Sequence, residues 1–407
     1  MHWKQVLKKT ITSIISVFFI SFRYLIKKRS TVILQASSRQ VYCDNTKYLY
    51  EFLSEKKSID VYWVTDNLKI KRYIIDKGWK YITWHNPIKM IWVALRVKVI
   101  IDNGSSYFNI FNLSNSKSII KICLFHGSGP KATLRRSVDI EDVVQQIISM
   151  NKFDYVNFPS EYYAESLGKK TYFLPNEKII KFGYPRCDLF FNSKYINYAY
   201  KSRKITKSIS KHSINAKDKI ILYTPTWRPY KYAFPLSKMP NFSFNDFNEW
   251  LHLNHLIFFY TVHSNLHPEG IPNDLDRVIF INPDLNPLFD VNEFMLEVDI
   301  LVNDYSTTST DFSILNRPQV FYMPDYDFYD SEKCFIEPYR DIMPGKEVFS
   351  YSDFKKVLLE ARLNPKPYVF KYAEKRLELQ KKYYDINLKN STTELSKFIL
   401  KLLSSDS

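Results

Sequence analysis

Glycine is scarce, with 8 in 407 residues. Neither GxGxxG nor GxxxxGK(S/T) occurs, which excludes the usual dinucleotide and P-loop phosphate cradles. The Gly-x-Ser-x-Gly elbow and the kinase signature set are missing too. Four scattered cysteines, Cys43, Cys123, Cys187 and Cys334, form no CxxC pair. That pattern argues against a metal site or a disulfide framework and fits a reducing compartment. There is no RNP motif, zinc-finger spacing or arginine-rich tail, so nucleic acid is the weakest polyanionic partner. The apolar run at residues 10–22 holds 13 uncharged residues, short of the roughly 20 that span a bilayer. No small-residue cleavage site follows it.

What remains is a long, aromatic, basic chain. Its length suits two domains of ordinary size. Hydrophobic content of 45% and aromatic content of 16% imply sizeable packed cores. The formal net charge of +16 draws polyanions: nucleic acid, an anionic lipid surface or an acidic polymer. Lys4, Lys8 and Lys9 precede the 10–22 run, and Arg23, Lys27, Lys28 and Arg29 follow it. This predicts a basic amphipathic helix on an anionic membrane surface, placing the protein peripherally at the cytoplasmic face of the cell membrane. Packing of that helix on the protein itself is the alternative.

From residue 31 short apolar runs alternate with helical patterns. TVILQA, DVYWVT, KYITW, VKVIID, IIKICLF, YVNFPS and IIKFGYP read as buried parallel strands. The polar stretch 192–219 reads as a helix followed by an interdomain connection. A second series runs through KIILYTPTW, LIFFYTVH, RVIFIN, DILVND and QVFYM, and residues 351–404 read as helical. The predicted organisation is a membrane-associating segment (1–29), two α/β domains (30–205 and 206–370) with a crevice between them, and C-terminal helices (371–407) packing back on the first domain. Ligands of open α/β sheets sit at the carboxyl ends of strands, and the candidate motifs fall at such ends.

The most informative of these is NDYSTTSTDFSILNRPQVFY, residues 303–322. A buried strand ends in Asp304, a run of hydroxyl residues follows, and then a helical pattern. A chain poor in glycine can build an anion site this way, from free backbone N–H groups and hydroxyls. An ordinary helix cap is the competing reading. His126 ends KICLFHGSGPK beside Gly127 and Gly129, with Lys131 following. An imidazole there can serve as a general base or simply bond within a turn. GYPRCD supplies Arg186 and Asp188, a structural pair by preference and otherwise an anion contact. YTPTWRP offers Arg228 as a candidate phosphate contact, with a proline-shaped loop as the competing reading. TVHSNLHP gives His263 and His267, whose strand-to-loop setting does not suit a zinc pair. DYD, residues 325–327, has the acid spacing of metal-dependent sugar transferases but reads as a solvated loop.

In sequential order, HGSGPK, GYPRCD, ILYTPTWR, a strand-end histidine, NDYSTTSTDFSILNRPQVFY and MPGKEV resemble the CDP-glycerol glycerophosphotransferase family, which builds teichoic-acid and related capsule polymers. The resemblance covers residues 30–370. It implies a GT-B type fold, two Rossmann-like domains facing a central cleft, with the donor nucleotide held mainly by the second. It implies transfer of a polyol phosphate from CDP-glycerol or CDP-ribitol to a lipid-linked saccharide or growing polymer, with release of CMP. By residue, it implies His126 as the base, His263 on the donor phosphates, and the backbone N–H groups of Ser306 and Thr307 on the pyrophosphate. Arg228 matches the arginine of the TPTWR motif, and Asp304 and Asp311 match acids of the family that are either structural or substrate contacts. Thr308, Lys131 and Arg186 complete the candidate substrate contacts. No cofactor is implied beyond a loosely held Mg²⁺ on the donor. Ser128, Gly129 and Pro130 depart from the family's Thr-Pro, and Lys333 and Cys334 from its Arg-Gly. VHSNLHP leaves either His263 or His267 as the equivalent of the LHP histidine. A sugar-nucleotide glycosyltransferase of the same fold and a non-catalytic membrane-binding module remain as further readings.

Overall fold

Uninterrupted apolar runs become central parallel strands, because both of their faces are covered. The computed structural model describes residues 21–22, 25, 30–104, 116–131, 140–210, 214–226, 234–261, 272, 274–282, 285–331, 335–385 and 389–404. The first half builds a seven-stranded parallel sheet from β1 (Thr31–Leu34), β2 (Asp60–Val64), β3 (Lys80–Ile82), β4 (Val97–Asp102), β5 (Ile120–Cys123), β6 (Tyr155–Asn157) and β7 (Ile179–Ile180), in the order β3-β2-β1-β4-β5-β6-β7. The second half builds a six-stranded one from β8 (Lys219–Thr224), β9 (Leu256–Thr261), β10 (Val278–Ile281), β11 (Ile300–Asn303), β12 (Gln319–Phe321) and β13 (Lys346–Glu347), in the order β10-β9-β8-β11-β12-β13. Strand order reverses between β1 and β4 and between β8 and β11, the positions where such sheets open a ligand crevice. Every residue of β1, β4 and β11 is buried.

The two halves share one hydrophobic cluster. Cys187 and Phe190 from the first meet Phe294, Met295 and Phe312 from the second. Buried ion pairs fasten the same seam. Lys47 lies 3.1 Å from Asp290 and 2.7 Å from Glu293, and Arg186 lies 3.0 Å from Asp311. Helices Tyr351–Leu363 and Pro365–Lys371 cover the second sheet. The chain then crosses back. In helix Ala373–Tyr383, Gln380 donates to Ser313 O (2.7 Å), and Ser160 donates to Lys382 O (2.6 Å). Helix Ser391–Ser404 buries Leu395, Ile399 and Leu403 against Val32 and Leu34 of the first sheet.

The stretch 192–219 is more structured than its composition suggests. Helix Ser193–Ser202 ends at Arg203, in the left-handed region at φ 48°, and helix Lys204–Ile209 follows across the expected boundary. Glu297 of the second half caps that helix, accepting from the N–H groups of Ile205 and Thr206 (2.9 and 2.8 Å). The basic segment expected on a membrane lies outside the described residues except for residues 21, 22 and 25. Among the described residues no helix is long and apolar enough to cross a membrane.

Candidate active site

β5 delivers His126 through a strained turn. Phe125 has φ 57°, unusual for a bulky residue. Its buried ring packs against Phe158 and Tyr172, with centroids 5.6 and 6.0 Å away. Asn45 fixes the backbone on both sides, donating to Leu124 O (3.2 Å) and Phe125 O (3.0 Å). The next residue, His126, is therefore thrown outward and is exposed. Its Nδ1 lies 3.1 Å from Asn103 O at the carboxyl end of β4. A carbonyl can only accept, so Nδ1 is the donor, and in the neutral imidazole Nε2 keeps the lone pair. Asp102, one residue earlier, is buried, and that burial raises its carboxyl to about 7 against the opposing pull of the Gly104 N–H.

The loop after His126 rests on the second half. A Cβ added to Gly127 would stand 2.7 Å from Thr307 Oγ1, and one on Gly129 would stand 3.1 Å from Thr310 Oγ1. At Gly127 only glycine lets the chain approach so closely, while at Gly129 a Cβ would need its neighbour to give by a few tenths of an ångström. The Tyr184 hydroxyl donates to Gly127 O (3.0 Å), and Ile336 N–H donates to Pro130 O (2.6 Å). Lys131 forms a β-bridge with Phe335, and its ammonium lies 5.7 Å from the Tyr329 ring centroid. Ser128 Oγ and Asn103 Oδ1 are buried with no hydrogen-bond partner among the described residues. Buried polar atoms left unmatched mark a place where a polar ligand or water completes the set.

On the other side, β11 is followed by Asp304, fully buried. Its carboxylate accepts from Thr226 N–H (2.8 and 2.9 Å), Tyr305 N–H (2.5 Å) and Ser306 N–H (3.2 Å). It thus ties the ends of β8 and β11 together. Among the candidate substrate contacts Asp304 is therefore structural, its lone pairs turned onto the N–H groups of its own loops. Thr308 is likewise drawn inward, its hydroxyl 2.6 Å from Thr224 Oγ1 and donating to Ser306 Oγ at 3.0 Å. Ser306 and Thr307 remain half-buried at the crevice. The backbone N–H groups of Thr307 and Thr308 make no hydrogen bond among the described residues. Thr307 caps the following helix without a side-chain hydrogen bond, so the capping reading is not what the hydroxyls do there. That helix, Thr308–Ser313, has only six residues, so the local N–H groups count for more than any macrodipole.

Arg186 and Asp311 require a second correction. Arg186 does not pair with Asp188, whose carboxylate instead accepts from Ser391 and Thr392 N–H (2.9 and 2.8 Å). Arg186 is 3% exposed and bonds Asp311 of the second half (Nε, 3.0 Å) and Asp44 of the first (Nη1, 2.7 Å). Burial alone would lower its pKa; the two carboxylates override it and hold the guanidinium charged. Asn292 also donates to Asp311, at 3.3 Å. The pair is an interdomain clamp beneath the crevice. DYD is likewise not a solvated loop: Asp325 accepts from the Tyr305 hydroxyl (3.2 Å), and helix Tyr326–Ser331 follows. Arg228, His263 and His267 lie outside the described residues. Among the described residues no group of three His, Cys, Asp or Glu could hold a metal ion. Asn103 and Tyr184 were missed in the sequence, though VIIDNG at a strand end was a usable signal for Asn103.

The strand-end histidine, the glycine loop on Thr307 and the two switch points now stand together. A family profile described as CDP-glycerol:poly(glycerophosphate) glycerophosphotransferase matches residues 16–401. The chain is 27% identical over 334 residues to the teichoic acid glycerol-phosphate primase of Bacillus subtilis (strain 168), covering 78% of each. It is 24% identical over 350 residues to the teichoic acid ribitol-phosphate polymerase TarL of Staphylococcus aureus (strain NCTC 8325 / PS 47), covering 83% of this chain and 58% of that one. It spans 44% of the teichoic acid poly(glycerol phosphate) polymerase of Bacillus subtilis (strain 168). Its fold is similar to that of the wall teichoic acid polymerase TagF with CDPG, at a TM-score of 0.75 and 19% identity over 98% of this chain and 97% of that one. With the profile running over nearly all of its length, the chain belongs to the CDP-glycerol:poly(glycerophosphate) glycerophosphotransferase family.

Proposed function

We propose that this chain transfers glycerol phosphate from CDP-glycerol to a hydroxyl of a lipid-linked saccharide or growing polymer, releasing CMP. The observation that carries the reading is the juxtaposition of His126 with Thr307. A lone pair on His126 Nε2 stands one residue from a loop in contact with the half-buried Ser306–Thr307 strand end. The donor pyrophosphate sits against the free backbone N–H groups of Thr307 and Thr308, since that of Ser306, expected there too, is given to Asp304. The acceptor oxygen attacks the glycerol-bearing phosphorus, and the pyrophosphate P–O bond opposite it breaks. His126 Nε2 takes the hydroxyl proton, and the electron pair of the broken bond leaves with CMP. Arg228 and His263, assigned by motif match, stabilise the phosphoryl charge. Asp304 and the Arg186–Asp311 clamp set the geometry without touching the donor. The enzyme works peripherally at an anionic membrane surface through its basic N-terminal segment.

The test is CMP release by purified protein given CDP-glycerol or CDP-ribitol separately, each with a lipid-linked saccharide, with and without chelator. CMP from CDP-glycerol supports the reading. CMP from CDP-ribitol alone assigns the other polyol, named for the relative TarL. Release of a nucleotide diphosphate from a sugar nucleotide, with neither polyol donor used, contradicts it.

A further inference from the structure

A cavity of about 540 Å³ lies at the opposite, amino-terminal edge of the second sheet. It opens where β8 begins at Lys219, where β11 begins at Ile300, and at Pro318 just before β12. Its walls carry five cationic side chains, Lys219, Arg317, Arg362, Lys366 and Arg376, against one carboxylate, Asp299. Asp299 is already engaged, accepting from Lys219 Nζ (3.0 Å) and the Tyr200 hydroxyl (2.5 Å). Arg317 is engaged too, donating to the carbonyls of Met295, Leu296 and Val298 at 3.3, 2.8 and 2.6 Å.

That leaves Arg362, Lys366 and Arg376. Arg362 and Arg376 are half-buried, and the Nε of each is buried with no hydrogen-bond partner among the described residues. Arg376 gives Nη1 to Val369 O (2.8 Å) and, among the described residues, has no charged partner offsetting the burial that lowers its pKa. Arg362 sits in the last turn of helix Tyr351–Leu363, where the helix end favours a cation. That accounts for its place on the helix but not for a buried, unbonded Nε. A guanidinium Nε withdrawn from water with no acceptor is costly, and the planar fork matches a phosphate. A cavity of this size takes a phosphodiester unit of a flexible chain.

We propose that this cavity is a second anion site, which binds a phosphodiester of the polyol-phosphate chain on the face away from His126. The choice of a polyol-phosphate ligand rests on the proposed function; the anion site itself does not. In this arrangement the crevice handles the reacting end while the cavity holds a unit further along.

The test titrates a fluorescein-labelled glycerol-phosphate hexamer into the full chain, with inorganic phosphate as competitor and phosphatidylglycerol vesicles as a separate arm. The variants are R362Q/R376Q and, because Arg376 also ties Val369, the exposed rim change K366E. The hexamer dissociation constant is expected to rise about tenfold or more in R362Q/R376Q and several-fold in K366E. K366E should keep its melting temperature, and both should release CMP to a single-unit acceptor at the wild-type rate. Unchanged hexamer affinity in both variants overturns the proposal. So does loss of vesicle binding with hexamer affinity intact, which would assign the cavity to a membrane surface. If the wild type releases no CMP but binds inorganic phosphate that the variants lose, the anion site stands and the functional reading fails.

Discussion

Gly127→Ala tests how closely the histidine loop must rest on the donor side. The new Cβ would meet Thr307 Oγ1 at 2.7 Å, Cγ2 at 3.1 Å and Cβ at 3.2 Å, against about 3.4 Å for ordinary contact. Rotating Thr307 exchanges one branch for the other, so the loop itself must back away by up to about 0.7 Å. A misplacement near 1 Å can cost about 10²-fold in rate. Turnover with CDP-glycerol should therefore fall between about 10-fold and 100-fold, with a stability loss of about 1–3 kcal/mol from overpacking. The control is a double-mutant cycle with Thr307→Ala. That change removes Oγ1 and Cγ2 and leaves a single contact at 3.2 Å, within a few tenths of an ångström of comfort. Adding T307A to G127A should recover much of the loss, giving a coupling of opposite sign to the single effects. The assay is steady-state CMP release alongside urea unfolding. Wild-type turnover in G127A, or strictly additive losses, would refute the close apposition.

Other consequences follow from the buried charges. Asp311→Asn leaves Arg186 with Asp44 alone, and should cost up to about 3 kcal/mol in urea unfolding, the low end for a broken buried pair; no loss would mean the clamp is not formed. Asp102 titrates near 7 in the folded chain against an ordinary 3.8. The folded state keeps a proton through that window that the unfolded chain has lost, so stability should fall as pH rises from about 4 to about 7 and stay low above it. Asp102→Asn keeps an acceptor for the Gly104 N–H and should be more stable than wild type at pH 8, by up to about 4 kcal/mol, with that dependence flattened. Identical pH profiles for the two proteins would contradict the assignment.

The strands were legible because central parallel strands are written as unbroken apolar runs, as in TVIL and ILVN. β13, only Lys346 and Glu347, carries no such run and could not be read. The site was legible where a residue acts near its own position: His126 follows a strand, and the hydroxyl run follows β11. Long-range pairing was not. Asp188 is near Arg186 in sequence, yet the true partners, Asp311 and Asp44, lie 125 and 142 residues away. Likewise, nothing in the residue type places Phe125 at φ 57° or turns His126 onto the Asn103 carbonyl. The match of Asp304 to an acid of the family left open what it holds, and only the folded loops show that its neighbouring N–H groups claim it.

The most direct test of the central claim is single-turnover CMP release from CDP-glycerol by wild type and His126→Ala, with donor affinity measured by calorimetry on the same preparations. A positioned base contributes about 10²–10⁴-fold. The account predicts a drop of that size in the rate of CMP formation, with donor affinity kept within a few-fold, because the pyrophosphate is held from the Thr307 side. Wild-type release in the variant would contradict it, as would a loss confined to donor binding.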